Sequence, residues 1–351
     1  MLTYILKPVP SNESFSPMSP TIRDVAKKAN VGIATVSRVI NNNASVSEET
    51  RNAVLTAIEE LDYTPNPIAR QLSTGRTLTI GVIVPNLTLP SYVERLRGVQ
   101  AALAESEYHM VLYSVGNPLD RDNYFKDLSR NGLVDGILII TLPPDDAQAE
   151  RFAQSDVPTV LIDAYHEQLC SVLTDDVKGG EMATQHLIDL GHERISFLSD
   201  ILETPFHPSS YYRYQGYRKA LTENNIPFDE KYRISGEHGR IYARKMAKQL
   251  LIMPEPPSAI FAGNDIQAIG ILDSARELQI KIPEELSVIG FDGIRDAEYT
   301  NLTTIDQHLH ESGEEGVKML LQELESLSAS PVLKRLSLEL VQRNTTHAFT
   351  G

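Results

Sequence analysis

Apolar residues recur along this chain in two rhythms, and the change between them falls near Thr77. Between Thr21 and Leu61 they return every three or four positions, the spacing of one helix face. Thr21 places a hydroxyl before Ile22, and Asp24 puts an acid three residues on, a pairing that suits the orphan N–H groups and positive end of a helix running to about Ala29. Asn30-Val31-Gly32 breaks the pattern. Helical spacing resumes from Ile33 to Ile40, with Val36, Val39 and Ile40 on an apolar face and Ala34, Thr35 and Arg38 on the opposite one. A third helix is predicted from a cap at Ser47 to about Leu61, burying Val54, Ile58 and Leu61. Two short helices about a glycine-containing turn make a helix-turn-helix pattern. Its second helix can lead with its N-terminal residues into a DNA major groove while Arg38 reaches bases or phosphate. Any small helical bundle could show the same spacing.

From Thr77 onward apolar runs of strand length alternate with amphipathic helical stretches. The runs are Leu78 to Val84, Met110 to Val115, Gly136 to Thr141, Thr159 to Asp163, Ile195 to Ser199, Ala259 to Ala262 and Ser287 to Phe291. Such alternation predicts doubly wound parallel sheets, in which ligands bind beyond the carboxyl ends of the strands. Asn86, Thr141, Asp163, Asp200, Asn264, Asp265 and Asp292 fall just past those runs. Asn and Asp at such places either meet a ligand or cap the following helix. Arg213 stands among Tyr211, Tyr212, Tyr214 and Tyr217 at a helix start, where a planar fork beside aromatic faces suits sugar hydroxyls or a carboxylate, and where aromatic packing is the alternative.

Between the two regions, Asp62 to Pro67 ends the third helix, and Asn66-Pro67 supplies a cap and first-turn pair for a short helix reaching Leu72. A helix of that length falls far below the roughly 12–15 residues that persist alone in water. On composition it could equally be an ordinary linker. The first twenty residues, rich in Ser, Pro and Asn, are expected to form a disordered lead, and Met18 offers an alternative start just before the headpiece.

The 351 residues carry a formal net charge of −15, which at first argues against a nucleic-acid partner. The charge is unevenly spread. Residues 19–76 hold Arg23, Lys27, Lys28, Arg38, Arg51, Arg70 and Arg76 against six acids, a net of +1, whereas residues 77–351 carry a net of −16. An acidic C-terminal region repels DNA except where the N-terminal region leads. One cysteine, Cys170, cannot form an intrachain disulfide, and no Cys/His spacing suits a metal, so neither metal nor cofactor is expected. The start, MLTYILKPVP, lacks the features of a secretory signal, and no apolar run approaches membrane-spanning length, so a cytoplasmic protein without membrane contact is expected.

Residues Thr21 to Thr74 closely resemble the headpiece and hinge of the LacI/GalR family of transcription regulators. The resemblance continues through ATVSRVIN, YTPNPIARQL, TIGVIVP, HLIDLGHERISFL and SVIGFD, in order, over nearly the whole chain from Thr21. It implies an all-α helix-turn-helix headpiece over 21–64, a hinge over 65–76, and a periplasmic-binding-protein-like sensor over 77–351. The sensor would have two doubly wound lobes, one of about 77–176 plus 307–337 and one of about 177–306 plus 338–351. For DNA the resemblance implies contacts from Thr21, Gly32, Ile33, Ala34, Thr35 and Arg38, and from hinge residues Asn66, Ala69, Arg70 and Leu72, the leucine wedging into the minor groove at the centre of a roughly palindromic operator. For the effector it implies Ser91, Tyr92, Asp163, Arg213, Asn264, Asp265 and Asp292; His238 lies near another pocket loop but reads as a solvated histidine.

The chain departs from the family at Gly32, where a Ser commonly caps the recognition helix; Gly caps with a loss of a few tenths of a kcal/mol. Ile33 and Ala34 are apolar and cannot make the bidentate hydrogen bonds that identify G or A, though they can touch thymine methyls. No leucine heptad follows near Gly351, so a homodimer is expected and not a tetramer. The sequence thus reads as a DNA-binding transcription regulator, a repressor controlled by a small sugar or related polyol. A nucleoside or purine effector, or a solute-binding protein without regulatory DNA binding, remains as an alternative. With no nucleophile elbow, phosphate-binding Gly loop or metal cluster, an enzyme is not expected.

Overall fold

Val25, Ala26, Val36, Val39, Val54 and Ala57 meet in one small core, and the three helices that carry them are α1 (Ile22–Lys28), α2 (Ile33–Ile40) and α3 (Glu48–Leu61). The computed structural model describes residues 20–40, 45–64, 75–130, 132–202, 208–326 and 330–350, in two units that divide after Arg76. Apart from Pro20, the expected N-terminal lead lies outside the described residues, as do hinge residues Asn66, Ala69, Arg70 and Leu72. At the start of α1 the Asp24 carboxylate accepts both the Thr21 backbone N–H (2.9 Å) and the Thr21 hydroxyl (2.7 Å). The Ser47 hydroxyl oxygen accepts the Thr50 N–H and caps α3. Ile40, Ile58 and Leu61, expected in the core, are half-buried at its margin, and the smaller Ala57 takes a central place.

The second unit is built from two sheets. The first holds β1 (Thr79–Pro85), β2 (His109–Val115), β3 (Gly136–Ile140), β4 (Thr159–Ile162), β5 (Cys170–Leu173) and β11 (Leu333–Arg335), in the order β11-β5-β4-β3-β1-β2. The second holds β6 (Ile195–Asp200), β7 (Arg233–Gly236), β8 (Ala259–Ala262), β9 (Ser287–Asp292), β10 (Thr303–Asp306) and β12 (Glu339–Val341), in the order β12-β10-β9-β8-β6-β7. Within each sheet the five consecutive strands follow the same doubly wound order, with a switch point between β1 and β3 or between β6 and β8. Pairing is parallel throughout except between β10 and β12.

The chain passes between lobes three times: after β5 through Thr174, after β10 through Gln307, and between β11 and β12. Helix α12 (Leu309–Glu325) therefore follows lobe two in sequence but packs into lobe one, where Val317 and Leu320 are fully buried among Leu138, Ile140, Val160 and Ile162. Burying each such side chain contributes about 1.5–3 kcal/mol, which anchors the helix to the first sheet. Phe197, Phe261 and Phe291 form the aromatic heart of lobe two.

Two helix pairs flank the gap between lobes. In lobe one α4 (Pro90–Leu103) lies on α12, and a β-carbon added at Gly313 would run into the Arg95 carbonyl. In lobe two α7 (Asp176–Asp189) lies on α8 (Pro208–Glu223), and a β-carbon at Gly180 would meet the Arg213 carbonyl. Glycine lets the backbones approach this closely, so each of two buried arginines rides on a helical turn seated against a glycine. The intervening helices are α5 (Pro118–Leu128) and α6 (Asp146–Ala153) in lobe one, and α9 (Arg240–Leu251), α10 (Asp265–Glu277) and α11 (Arg295–Tyr299) in lobe two.

Candidate functional site

Beyond the carboxyl ends of both sheets lies a cleft lined from lobe one by Ser91, Tyr92, Arg95, Thr141 and Asp163 and from lobe two by Asp200, Ser210, Arg213, His238, Asn264 and Asp292, with Gln307 in a crossover between them. The strand ends that carry these groups are locally strained. Thr141 (φ 57°), Asp163 (φ 56°) and Asp292 (φ 126°) hold positive φ without being glycine. Such backbones cost about 1–3 kcal/mol each and persist where surrounding structure enforces them. The Thr141 hydroxyl donates to Asp163 Oδ2 at 3.1 Å.

Arg213 is the best-connected group. Its Nε donates to Asp176 Oδ1 (2.7 Å), its Nη1 to the Gly263 carbonyl (2.7 Å) and to Asp292 Oδ1 (3.3 Å), and its guanidinium lies 3.8 Å from the centroid of the Phe291 ring. Arg95 Nη2 pairs with Asp163 Oδ2 (3.1 Å) and donates to Gln307 Oε1 (2.9 Å), and Gln307 Nε2 donates to Asp292 Oδ1 (2.7 Å). Gln307 thus closes a hydrogen-bonded path from an arginine of lobe one to a carboxylate of lobe two. Asp200 accepts from His238 Nδ1 (3.1 Å), Gln267 Nε2 (2.8 Å) and Asn264 Nδ2 (3.3 Å).

The electrostatics follow from burial. Removal from water pushes the Asp176 carboxyl up to about 6 against the opposing pull of Arg213. Burial likewise raises Asp292, with Arg213 and Arg95 working against it. For His238 burial favours the neutral ring, but the hydrogen bond and charge of Asp200, with the charge of Asp292, outweigh it and raise its pKa. Burial, then the charge of Asp163, keeps the Tyr92 phenol protonated.

Of the residues expected from sequence, Ser91, Tyr92, Asp163, Arg213, Asn264 and Asp292 come together in this cleft. Asn264 is both cap and lining: its Oδ1 accepts the Gln267 N–H at the start of α10 while its Nδ2 reaches Asp200. Asp265 does not line the cleft. Fully buried behind it, Asp265 accepts the Thr304 hydroxyl and the backbone N–H groups of Gly293 and Ile294, tying the loop after β9 to β10. The tyrosines around Arg213 are also placed differently. Tyr217 is buried with its hydroxyl on the Ile195 carbonyl, Tyr211 and Tyr212 are exposed, and Phe291 supplies the aromatic face. His238, read as solvated, lines the cleft on Asp200. Arg95 and Gln307 were missed. The available signal for Arg95 was a charge on the same helical face as Tyr92, Leu96, Val99 and Leu103, all of which are buried.

On the headpiece, Thr21, Gly32, Ile33, Ala34 and Arg38 are exposed and Thr35 is half-buried, so α2 presents its N-terminal residues and Arg38 to solvent. Ile33 is 46% exposed, an apolar surface that the small core does not use. A β-carbon at Gly32 meets nothing within 4 Å, so no steric need excludes a larger residue there. Among the described residues no helix is long and apolar enough to cross a membrane.

Residues 21–66 match the model for bacterial regulatory proteins of the lacI family, and residues 184–346 match that for a periplasmic binding protein-like domain. Catabolite control protein A of Priestia megaterium is 32% identical over 333 residues, covering 94% of this chain and 100% of its own length. The solved complex of the transcriptional regulator CelR with cellobiose is 30% identical, with a TM-score of 0.68, covering 93% of this chain and 99% of its own. The lac repressor dimer bound to operator and the anti-inducer ONPF is 28% identical, with a TM-score of 0.80, covering 94% and 99%.

Proposed function

The chain belongs to the lacI family of bacterial regulatory proteins, DNA-binding regulators of transcription and not enzymes, and on that premise we propose a homodimeric repressor whose hold on a roughly palindromic operator is set by a small sugar or related polyol between the sensor lobes. The observation that carries this reading is the cleft network, in which Arg95, Gln307, Asp292 and Arg213 join side chains of both lobes by hydrogen bonds. A ligand that exchanges hydrogen bonds with these groups changes the relative free energy of lobe arrangements, which is the requirement for an effector. Support for a sugar comes from the polar lining and from the cellobiose bound to the similar CelR. Tyr92 and His238 are the two aromatic rings among the described lining groups, whose other polar members offer hydroxyl, carboxylate, amide and guanidinium groups suited to a polyol. On the DNA side, exposed Ile33, Ala34 and Arg38 support major-groove reading by α2.

The test begins by selecting an operator from a random duplex pool and measuring its affinity by fluorescence anisotropy with and without candidate sugars. Arg213→Ala is expected to leave operator affinity without effector unchanged and to abolish the effector response. A normal response in that variant would remove Arg213 from the site.

A further inference from the structure

We propose that the cleft selects an uncharged or amine-bearing polyol and rejects phosphorylated and carboxylated sugars, a specificity that rests on the effector reading above. Among the described residues, Asp163, Asp200 and Asp292 line the cleft, and Asp176 stands behind Arg213. The two lining arginines already face carboxylates, but not with every N–H: Arg213 Nη2 and Arg95 Nε meet no acceptor among the described residues. Arg213 spends Nε on Asp176 and Nη1 on Gly263 and Asp292, while Arg95 pairs with Asp163. His238 is held by Asp200. An incoming anion can meet the remaining arginine N–H groups, but it adds charge to a cleft where three lining carboxylates and Asp176 already face two arginines, a cost in a site removed from water. Acceptor capacity is open as well. Asp163 Oδ1 and Asp292 Oδ2 take no hydrogen bond from the described residues, although both side chains are more than nine-tenths buried. Hydroxyl or ammonium donors satisfy such oxygens. Burial already raises Asp292 and Asp176, so a ligand that donates to them relieves a cost and one that adds negative charge increases it.

Two features invite an anion: Arg213 Nη2, and the N-terminus of α4, where Leu89 supplies no side-chain cap. The experiment sets that invitation against the charge cost. The full-length protein is heated with ribose, glucose, cellobiose and glucosamine, and with ribose 5-phosphate, glucose 6-phosphate and gluconate as acidic counterparts. A saturating neutral or amino sugar is expected to raise Tm by at least about 2–4 °C. Its acidic counterpart is expected to give no shift, and Arg213→Ala is expected to erase the shift of the neutral sugar. An acidic member that shifts Tm as much as its neutral partner, and loses that shift in Arg213→Ala, overturns the charge selection while leaving a sugar effector standing. If no member produces a shift that depends on Arg213, the sugar reading itself falls and this inference with it.

Discussion

His238 and Asp200 show how one contact sets the behaviour of a side chain. Burial lowers the pKa of the imidazole, but Nδ1 lies 3.1 Å from Asp200 Oδ1, and the charges of Asp200 and Asp292 carry it above its ordinary 6.5. The stability this pair lends is fully present below the unfolded value and fades as pH climbs through the raised folded value. Asp200→Asn is expected to lower the His238 pKa, and an NMR titration of the ring protons checks it; an unchanged midpoint would assign the shift to something other than Asp200. At this scale the cleft was legible wherever backbone topology sufficed. Asp163, Asn264 and Asp292 lie where strands end, and strand ends can be located from apolar runs. Arg95 and Gln307 were not legible, because their role depends on an encounter between residues 212 positions apart in the chain. Asp265 misled for a related reason: it stands next to Asn264, but the first turn of α10 points it into lobe two, where Thr304 and two backbone N–H groups receive it.

Among elements, the glycine-seated helix pairs bear most directly on function. Gly180→Ala would press a methyl group on the Arg213 carbonyl, and Gly313→Ala would do so on the Arg95 carbonyl. Each substitution is expected to destabilise the sensor by roughly 1–3 kcal/mol, as overpacking of a close approach does, and to weaken the effector response by displacing the arginine. Urea denaturation reads the first effect and operator release the second; a stable variant with an intact response would show that the helices slide apart at no cost. In the headpiece, Ile33→Tyr together with Ala34→Gln is expected to move operator preference by about 1–3 kcal/mol for each well-formed bidentate pairing with a base edge, scored by repeating the operator selection. Unchanged preference would place base reading away from the start of α2. The seven apolar runs of the sequence all became strands, but β5, β7, β10, β11 and β12 were not foreseen. They are three or four residues long, and β10 reads Thr-Thr-Ile-Asp. Its buried threonines are satisfied from elsewhere: Thr304 by Asp265, and Thr303 by Thr345 and Thr346. No local hydrophobic pattern announces a strand whose polar groups find their partners forty residues away.

For the whole molecule, the division after Arg76 leaves each unit with its own core. The chain from Thr77 onward is therefore expected to bind effector with unchanged affinity and to lose operator binding, which calorimetry and anisotropy test separately; loss of effector binding would tie the cleft to the headpiece. Acid acts on lobe two through two buried histidines. Burial lowers the pKa of His186 and of His192, whose ring nitrogens face the Ser258 and Ser287 hydroxyls and the His347 carbonyl. A depressed histidine contributes stability above its unfolded value, and the contribution disappears as pH falls. The stability gap between the native chain and a His186→Gln, His192→Gln variant is expected to narrow below about pH 6.5, since that is where the unfolded rings gain protons. A constant gap across that range would mean the rings titrate alike in both states. The repeated doubly wound order was legible because a parallel crossover needs its own helix and so writes strand and helix alternately into the sequence. The three passages between lobes carry no such signature, yet they set the order of events during synthesis. Lobe two runs from Asp176 to Asp306 with only β12 to follow, whereas lobe one lacks α12 and β11 until more than a hundred residues later. As the ribosome extends the chain from its N-terminus, the lobe made first must wait for α12 with Leu138, Ile140 and Val160 uncovered, whereas lobe two, once β10 has emerged, lacks only the edge strand β12 and the Thr345–Thr346 segment that satisfies Thr303.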